Sequence, residues 1–263
     1  MKVGYIQTSP IYGEKQANFD QAEELLGKET ADLIVVPELF ATGYTFTSKN
    51  EALELAEETN GETADFLMHL AKKSQAIVIG GYAEKTSDGI FNSAMVVSEE
   101  GVIGNYRKIH LYFKEKLWFN PGNEPPKVFE CKDFKLGVMI CFDWIFPETT
   151  RTLALNGADI IAHPANLVLP YCQKAMVTRC LENRVYAVTA NRIGNETRGN
   201  DSFQFTGGSQ ITSYDGTILS SAPNDRPTVG FAEIDISKAR NKTLNEYNNL
   251  FNDRRTELYD VSG

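Results

Sequence analysis

Leu136-Gly137-Val138-Met139-Ile140-Cys141-Phe142-Asp143-Trp144-Ile145-Phe146-Pro147-Glu148 is the stretch whose reading decides the fold. Leu136 to Cys141 is an apolar run of strand length, the pattern of a strand buried on both faces. Pro147-Glu148 then starts a helix, with proline at its first position and an acid in its first turn. A strand that runs into a helix indicates α/β architecture. A cysteine at the carboxyl end of such a strand stands where open α/β sheets bind their ligands. Backbone N–H groups in that turn favour a thiolate and hold a developing oxyanion.

Working outward, strand-like runs cover 2–7, 32–37, 76–82, 93–98, 136–141, 159–163, 185–190, 209–213 and 229–234. Amphipathic segments alternate with them. Phe19, Ala22, Leu25 and Leu26 share one helical face, and Phe66, Leu67, Leu70 and Ala71 share the inner face of a helix over 62–74. Further helices follow Pro147 and cover about 174–184. Residues 90–106 read as a hairpin turning at Glu100-Gly101, and Tyr214-Asp215-Gly216 fits a second turn. The alternation gives an α/β class, and the hairpins make its sheets mixed rather than all parallel. No linker or repeat breaks the chain, so residues 1–263 read as one domain with a polar tail over 241–263. Leu244, Tyr247, Leu250, Phe251, Leu258 and Tyr259 should dock that tail, on this chain or on a second subunit.

The chain of 263 residues is 42% hydrophobic and 23% charged, ordinary for a soluble globular protein. A net charge of −9 argues against nucleic acid or an anionic membrane as partner. The N-terminus lacks a signal-peptide pattern, and no run reaches the roughly 18 apolar residues of a membrane span. The expected compartment is the cytoplasm. Cys131, Cys141, Cys172 and Cys180 show no Cys-x-x-Cys pair, so free thiols are expected, the other three as small buried residues.

A nucleophilic cysteine needs a base or a nearby cation. Three runs end in candidates. Leu33-Ile34-Val35-Val36-Pro37-Glu38 carries a strand into a carboxylate, either a general base or a strand-end cap. Tyr106-Arg107-Lys108-Ile109-His110 follows a hairpin strand, and alternation puts Lys108 on a different face from Arg107. Taken alone, Lys108 reads more readily as a solvated loop lysine than as an oxyanion donor. Ile160-Ile161-Ala162-His163-Pro164-Ala165-Asn166 places a histidine at a strand end, so Cys141, His163 and Asn166 make a rival papain-like thiol set. His110 and His69 are weaker bases, and His69 reads as a surface residue. Three scattered histidines form no metal-ligand pattern. No metal or cofactor is expected.

These residues resemble the nitrilase superfamily of carbon–nitrogen hydrolases, in particular its short archaeal, thermophile-type members. The resemblance runs over nearly the whole chain. Three motifs carry it in order: Pro37-Glu38-Leu39-Phe40, Tyr106-Arg107-Lys108-Ile109-His110-Leu111, and Cys141-Phe142-Asp143-Trp144-Ile145-Phe146-Pro147-Glu148. Later landmarks agree, among them Glu182-Asn183-Arg184 and Gly207-Gly208-Ser209. The resemblance implies a Glu–Lys–Cys triad at Glu38, Lys108 and Cys141, with Glu38 rather than His163 as the base. It implies a second glutamate at Glu115. It also implies a four-layer α-β-β-α sandwich whose subunits pair, with the C-terminal tail reaching the neighbour in a homodimer or larger homo-oligomer.

On this reading Cys141 attacks the substrate carbon, Lys108 and the Phe142 amide hold the negative atom, and Glu115 positions nitrogen or water. Relatives that bind acidic substrates carry arginine after Cys-x-Asp-x, where this chain has Ile145. Tyr44, Trp144 and Leu167 would give a neutral lining, with Asn166 as a further substrate contact. That favours a small uncharged amide or nitrile and leaves the two undivided. Arg179 or Arg184 would have to supply a distant anchor for the alternatives, a carbamoyl compound or an ω-amide. Outside the class stand a non-catalytic fold and a redox-sensing thiol. The intact Glu38, Lys108 and Cys141 oppose the first, and the lack of a resolving cysteine nearby in sequence opposes the second.

Overall fold

The strand-forming runs assemble into two mixed six-stranded sheets and one two-stranded ribbon. The structure, a computed structural model, describes residues 1–259. Its elements are β1 (Lys2–Gln7), α1 (Lys15–Leu26), β2 (Leu33–Val35), α2 (Lys49–Leu55), α3 (Glu62–Ser74), β3 (Ile77–Thr86), β4 (Gly89–Ser98), β5 (Gly101–Arg107), α4 (Glu115–Trp118), β6 (Val128–Cys131) and β7 (Phe134–Val138). A 3-10 turn (Cys141–Ile145) leads to α5 (Pro147–Leu155), β8 (Ile160–Pro164), α6 (Cys172–Asn183), β9 (Tyr186–Ala190), β10 (Ile193–Arg198), β11 (Asp201–Thr206), β12 (Gln210–Thr212), β13 (Ile218–Ser221), β14 (Thr228–Glu233) and α7 (Ile236–Arg240).

The first sheet has the order β14-β1-β2-β3-β4-β5 and the second β13-β12-β9-β8-β7-β6. Each has a parallel centre, β1-β2-β3 and β7-β8-β9, flanked by antiparallel strands. Side-chain alternation explains the layering. Leu33 and Val35 of β2 face the second sheet, in one core with Leu136, Val138 and Ala162. Ile34 and Val78 face the other way, against Phe19 and Leu26 of α1 and Leu67 and Leu70 of α3. Leu153 of α5 and Met176 and Cys180 of α6 join the core of the second sheet. The result is the expected α-β-β-α sandwich with two mixed sheets.

The helix over 62–74 and the one starting at Pro147 stand as expected. Two strand ends do not. The run read as reaching Pro37 is a regular strand only to Val35, and the run read as reaching Cys141 only to Val138, with single backbone bonds beyond each end. In the second case the Ile140 amide leaves the ladder and bonds to the Asp143 carboxylate at 2.9 Å, so Cys141 opens a turn instead of closing a strand. The ribbon β10-β11 and strand β6 had no counterpart in the sequence reading.

Part of the tail folds back on its own chain. Lys242 Nζ donates to the carbonyls of Asn183 (3.0 Å) and Arg184 (2.7 Å), and Phe251 packs half-buried beneath the Lys242 and Arg151 cations. Leu244, Tyr247, Leu258 and Tyr259 stay exposed. Residues 260–263 of the tail lie outside the described residues. Among the described residues no helix is long and apolar enough to cross a membrane.

Candidate active site

Glu38 sits just past β2, where the chain is pinned to β3. Val36 N–H donates to Ile79 O (2.7 Å), and Gly81 N–H donates to Pro37 O (3.1 Å). A Cβ on Gly81 would lie 2.5 Å from the Glu38 Cα, so this close approach requires glycine. The carboxylate is fully buried. Its Oε1 accepts from Asn92 Nδ2 and from Lys108 Nζ, both at 2.7 Å. Its Oε2 is buried with no hydrogen-bond partner.

Lys108 follows β5 by one residue, its amide donating to Asn92 O at 2.8 Å. Alternation sends Arg107 the other way, onto Glu84 at 2.8 Å. The Lys108 side chain is fully buried, which overturns the reading of a solvated loop lysine. Its Nζ also donates to Glu115 Oε1 (2.9 Å) and Oε2 (2.8 Å). Burial pushes this ammonium down, but Glu115 and Glu38 beside it outweigh burial and hold it above the ordinary lysine range. Glu115 opens α4 and takes the Tyr44 hydroxyl at 2.6 Å. Burial pushes the Glu115 carboxyl up, opposed by Lys108 and reinforced by Glu38. Two carboxylates around one ammonium in a dry site therefore share a surplus of negative charge.

Cys141 opens the 3-10 turn at φ 41°, a left-handed conformation that costs energy in a residue with a Cβ. Asp143, fully buried, holds the turn in place. Its carboxylate accepts from the Ile140 amide (2.9 Å), the Tyr106 hydroxyl (2.8 Å), the His110 amide (3.1 Å) and His110 Nδ1 (2.7 Å). One side chain thus ties the Cys141 turn to the segment that carries Lys108. Phe142 is the second residue of the turn, where an N–H has no partner inside its own element. Burial, then the Glu38 charge, pushes the Cys141 thiol well above its ordinary range; Lys108 and the Asn166 amide pull the other way. The sulfur therefore rests protonated, and its proton needs an acceptor before it can attack.

His163 is not placed to be that acceptor. Its ring is fully buried, Nε2–H donates to the Cys141 carbonyl (3.0 Å), and Nδ1 pairs with the Thr189 hydroxyl (3.1 Å). Burial holds its pKa down to about 4, so the ring is neutral and supports the backbone of the turn. Asn166 comes close to Cys141, as the thiol set had it, but both polar atoms of its side chain are buried and unpaired. Tyr112, Phe142, Trp144, Asn166, Leu167, Val168 and Leu169 surround the cleft at the sulfur. Tyr44 is not among them, its hydroxyl being spent on Glu115. Arg179 bonds to the Trp144 carbonyl (3.3 Å) and Glu182 (3.1 Å), and Arg184 to the Asn241 carbonyl (2.6 Å), so neither guanidinium anchors a substrate acid here. His69 is a surface residue paired with Glu23.

Three contributors escaped the sequence reading. Asn92 holds Glu38, but an asparagine inside a strand carries no signal of its own. Asp143 was signalled only by its two-residue distance from Cys141. Glu196, on the ribbon, accepts from the Tyr44 amide (3.0 Å) and pairs with buried Arg192 (2.9 Å), fixing the loop that presents Tyr44. Phe203 and Phe205 of the same ribbon meet the Tyr44 ring edge-on at 5.7 and 5.9 Å. Among the described residues no group of three or more His, Cys, Asp or Glu side chains is arranged to hold a metal ion.

A family model described as Carbon-nitrogen hydrolase matches residues 2–242. A Pyrococcus abyssi protein named nitrilase is 49% identical over 98% of this chain and 99% of its own length. An N-carbamoylputrescine amidase of Solanum tuberosum is 31% identical over 88% of this chain and 83% of its own. The crystal structure of a carbon–nitrogen hydrolase from Helicobacter pylori has a TM-score of 0.87 at 25% identity, covering 98% of this chain and 96% of that one.

Proposed function

The chain belongs to the carbon–nitrogen hydrolase family, and from that premise we propose that it hydrolyses non-peptide carbon–nitrogen bonds of small neutral amides or nitriles through a thioester on Cys141. The observation that carries this is the buried Lys108 ammonium clamped between Glu38 and Glu115, with one Glu38 oxygen left unpaired in the same buried cluster as the Cys141 thiol.

In the amide reaction Glu38 Oε2 takes the Cys141 proton as the sulfur bonds to the carbonyl carbon. Negative charge on the oxygen meets Lys108 Nζ and the Phe142 amide, both held in place before the reaction. Glu38 returns the proton to the leaving nitrogen, the carbon–nitrogen bond breaks and ammonia departs. Water then gives a proton to Glu38 and its oxygen to the thioester carbon, and the acid leaves as the thiol regains its proton. A nitrile passes first through a thioimidate, which adds water before ammonia leaves. Glu115 positions the nitrogen or the water through the Lys108 and Tyr44 contacts.

A neutral substrate is supported by Ile145 in the position of the arginine and by the engagement of Arg179 and Arg184 elsewhere. Trp144 and Leu167 supply apolar lining, and Tyr44 acts through Glu115. Residues 1–263 form one hydrolase domain on this reading. It works as a homodimer in which exposed Leu244, Tyr247, Leu258 and Tyr259 of the tail meet a second copy. Four free, buried cysteines suit a reducing compartment such as the cytoplasm.

The test is ammonia release from a panel of small amides, nitriles and carbamoyl compounds by folded, reduced protein. Turnover of neutral amides or nitriles is expected, with ω-amides of dicarboxylic acids turned over poorly. Turnover of only the acidic substrates overturns the neutral pocket, and silence on the whole panel overturns the hydrolase.

A further inference from the structure

Asn166 presents an anomaly that the triad does not explain. It is 2% exposed, yet neither its Oδ1 nor its Nδ2 has a hydrogen-bond partner in the protein. Buried carboxamides are nearly always paired, because the desolvation cost is otherwise unrecovered. Nothing in its position forces the side chain to be polar. Leu167, Val168, Leu169 and Trp144 share its cleft, and a leucine would fit that company better. Its backbone amide already reaches the Cys141 sulfur. Asn166 therefore contacts the sulfur through its backbone and lines the same cleft.

We infer that Asn166 is a specificity-determining residue that selects acyl groups carrying a neutral substituent able both to donate and to accept a hydrogen bond, such as a hydroxyl on the α or β carbon. The inference rests on the hydrolase reading above and narrows its substrate class. A carboxamide offers one acceptor and two donors side by side. A hydroxyl satisfies an acceptor and a donor at once, whereas a methyl of similar size leaves both unpaired. Sites built to pair a substrate hydroxyl reject the analogue lacking it far more strongly than apolar pockets reject a change of size. A charged substituent fits less well: the surplus negative charge of Glu38 and Glu115 repels a carboxylate, and no free carboxylate lines this cleft to pair a cation.

Two isosteric pairs test this: 2-hydroxypropanamide against 2-methylpropanamide for the α position, and 3-hydroxypropanenitrile against butanenitrile for the β position. In at least one pair the hydroxylated member should have a kcat/KM about 10²-fold higher. In Asn166→Leu that ratio should collapse to about 3-fold or less, and Asn166→Ser should restore part of it. Binding to the Cys141→Ala protein, followed by calorimetry, reads the same preference without turnover and shows whether Asn166→Leu removes it from a folded protein. Hydrolysis of both members of both pairs at equal rates overturns the inference while leaving the hydrolase standing, as does a preference that survives Asn166→Leu. Failure to hydrolyse any of the four overturns the inference together with the reading beneath it.

Discussion

The two ends of the sandwich make opposite use of buried space and charge. At the amino ends of β2 and β3 a cavity of about 490 Å³ opens beside Asp32, Glu99, Glu100, Glu130, Cys131 and Asp133. At the other end Glu38, Lys108, Glu115 and Cys141 are packed with almost no space around them. The roomy end carries its charges in water: the Glu130–Lys135 pair leaves its side chains 76% and 45% exposed, and such pairs contribute about 0–1 kcal/mol. The tight end takes three charges out of water, which is tolerated only because each is bonded. The two cysteines repeat the contrast. Burial, aided by Glu130, pushes Cys131 up to about 11. Cys141 is pushed up as well, but a lysine opposes the shift and a carboxylate oxygen stands unpaired nearby. On the proposed reading, volume does not locate the chemistry in this fold. What marks the proposed site is unmatched charge enclosed beside a buried thiol.

Substitutions at the two ends should therefore differ most where charge is enclosed. Cys141→Ala should lower ammonia release by about 10⁴-fold or more while the melting temperature changes little, because the loss is of the reacting atom. Lys108→Met leaves two buried carboxylates without their cation. It should cost about 3–5 kcal/mol of stability in denaturant titration and about 10²–10³-fold in kcat. Asp143→Asn keeps the shape but turns an amide against groups that all donate. A misplaced Cys141 turn should then lower kcat/KM by about 10²-fold.

His163 gives a pH dependence. Its folded pKa of about 4 lies below the unfolded value of 6.5, so above pH 6.5 it is neutral in both states. As pH falls from 6.5 towards 4, the unfolded chain takes up the proton first, and stability is lost. Between pH 7.5 and 5 this one group should remove about 2 kcal/mol, measurable as a slope that His163→Asn lacks. The smallest effect belongs to the roomy end, where Glu130→Gln should stay within about 0.5 kcal/mol and leave activity near wild type. A large activity loss there would break the contrast between the ends.

Apolar periodicity made the sandwich legible. Leu136 to Ile140, the inner face of the helix over 62–74 and the Pro147 helix start all follow from patterns that burial imposes on both faces of a sheet. The ribbon β10-β11 had only a short alternation of this kind, Phe203 and Phe205, which pack on Tyr44. Its other inward contacts run through Glu196 and through Arg192 just before it, a buried ion pair that reads in sequence as solvated charge. Taken alone, without the family motifs, Lys108 misled for the same reason, since a lysine signals solvent unless the two carboxylates that surround it are known to be there. The spacing found the thiol and left its base open between Glu38 and His163. Family motifs chose Glu38, and the His163 hydrogen bonds to Cys141 O and Thr189 now give that choice a geometric reason.

The most direct test of the account is the intact mass of the protein quenched in acid during turnover of a small amide or nitrile, followed by peptide mapping. The account predicts an acyl adduct on the Cys141 peptide in the wild type and none in Cys141→Ala. An adduct on another residue, or ammonia release by Cys141→Ala at the wild-type rate, would contradict it.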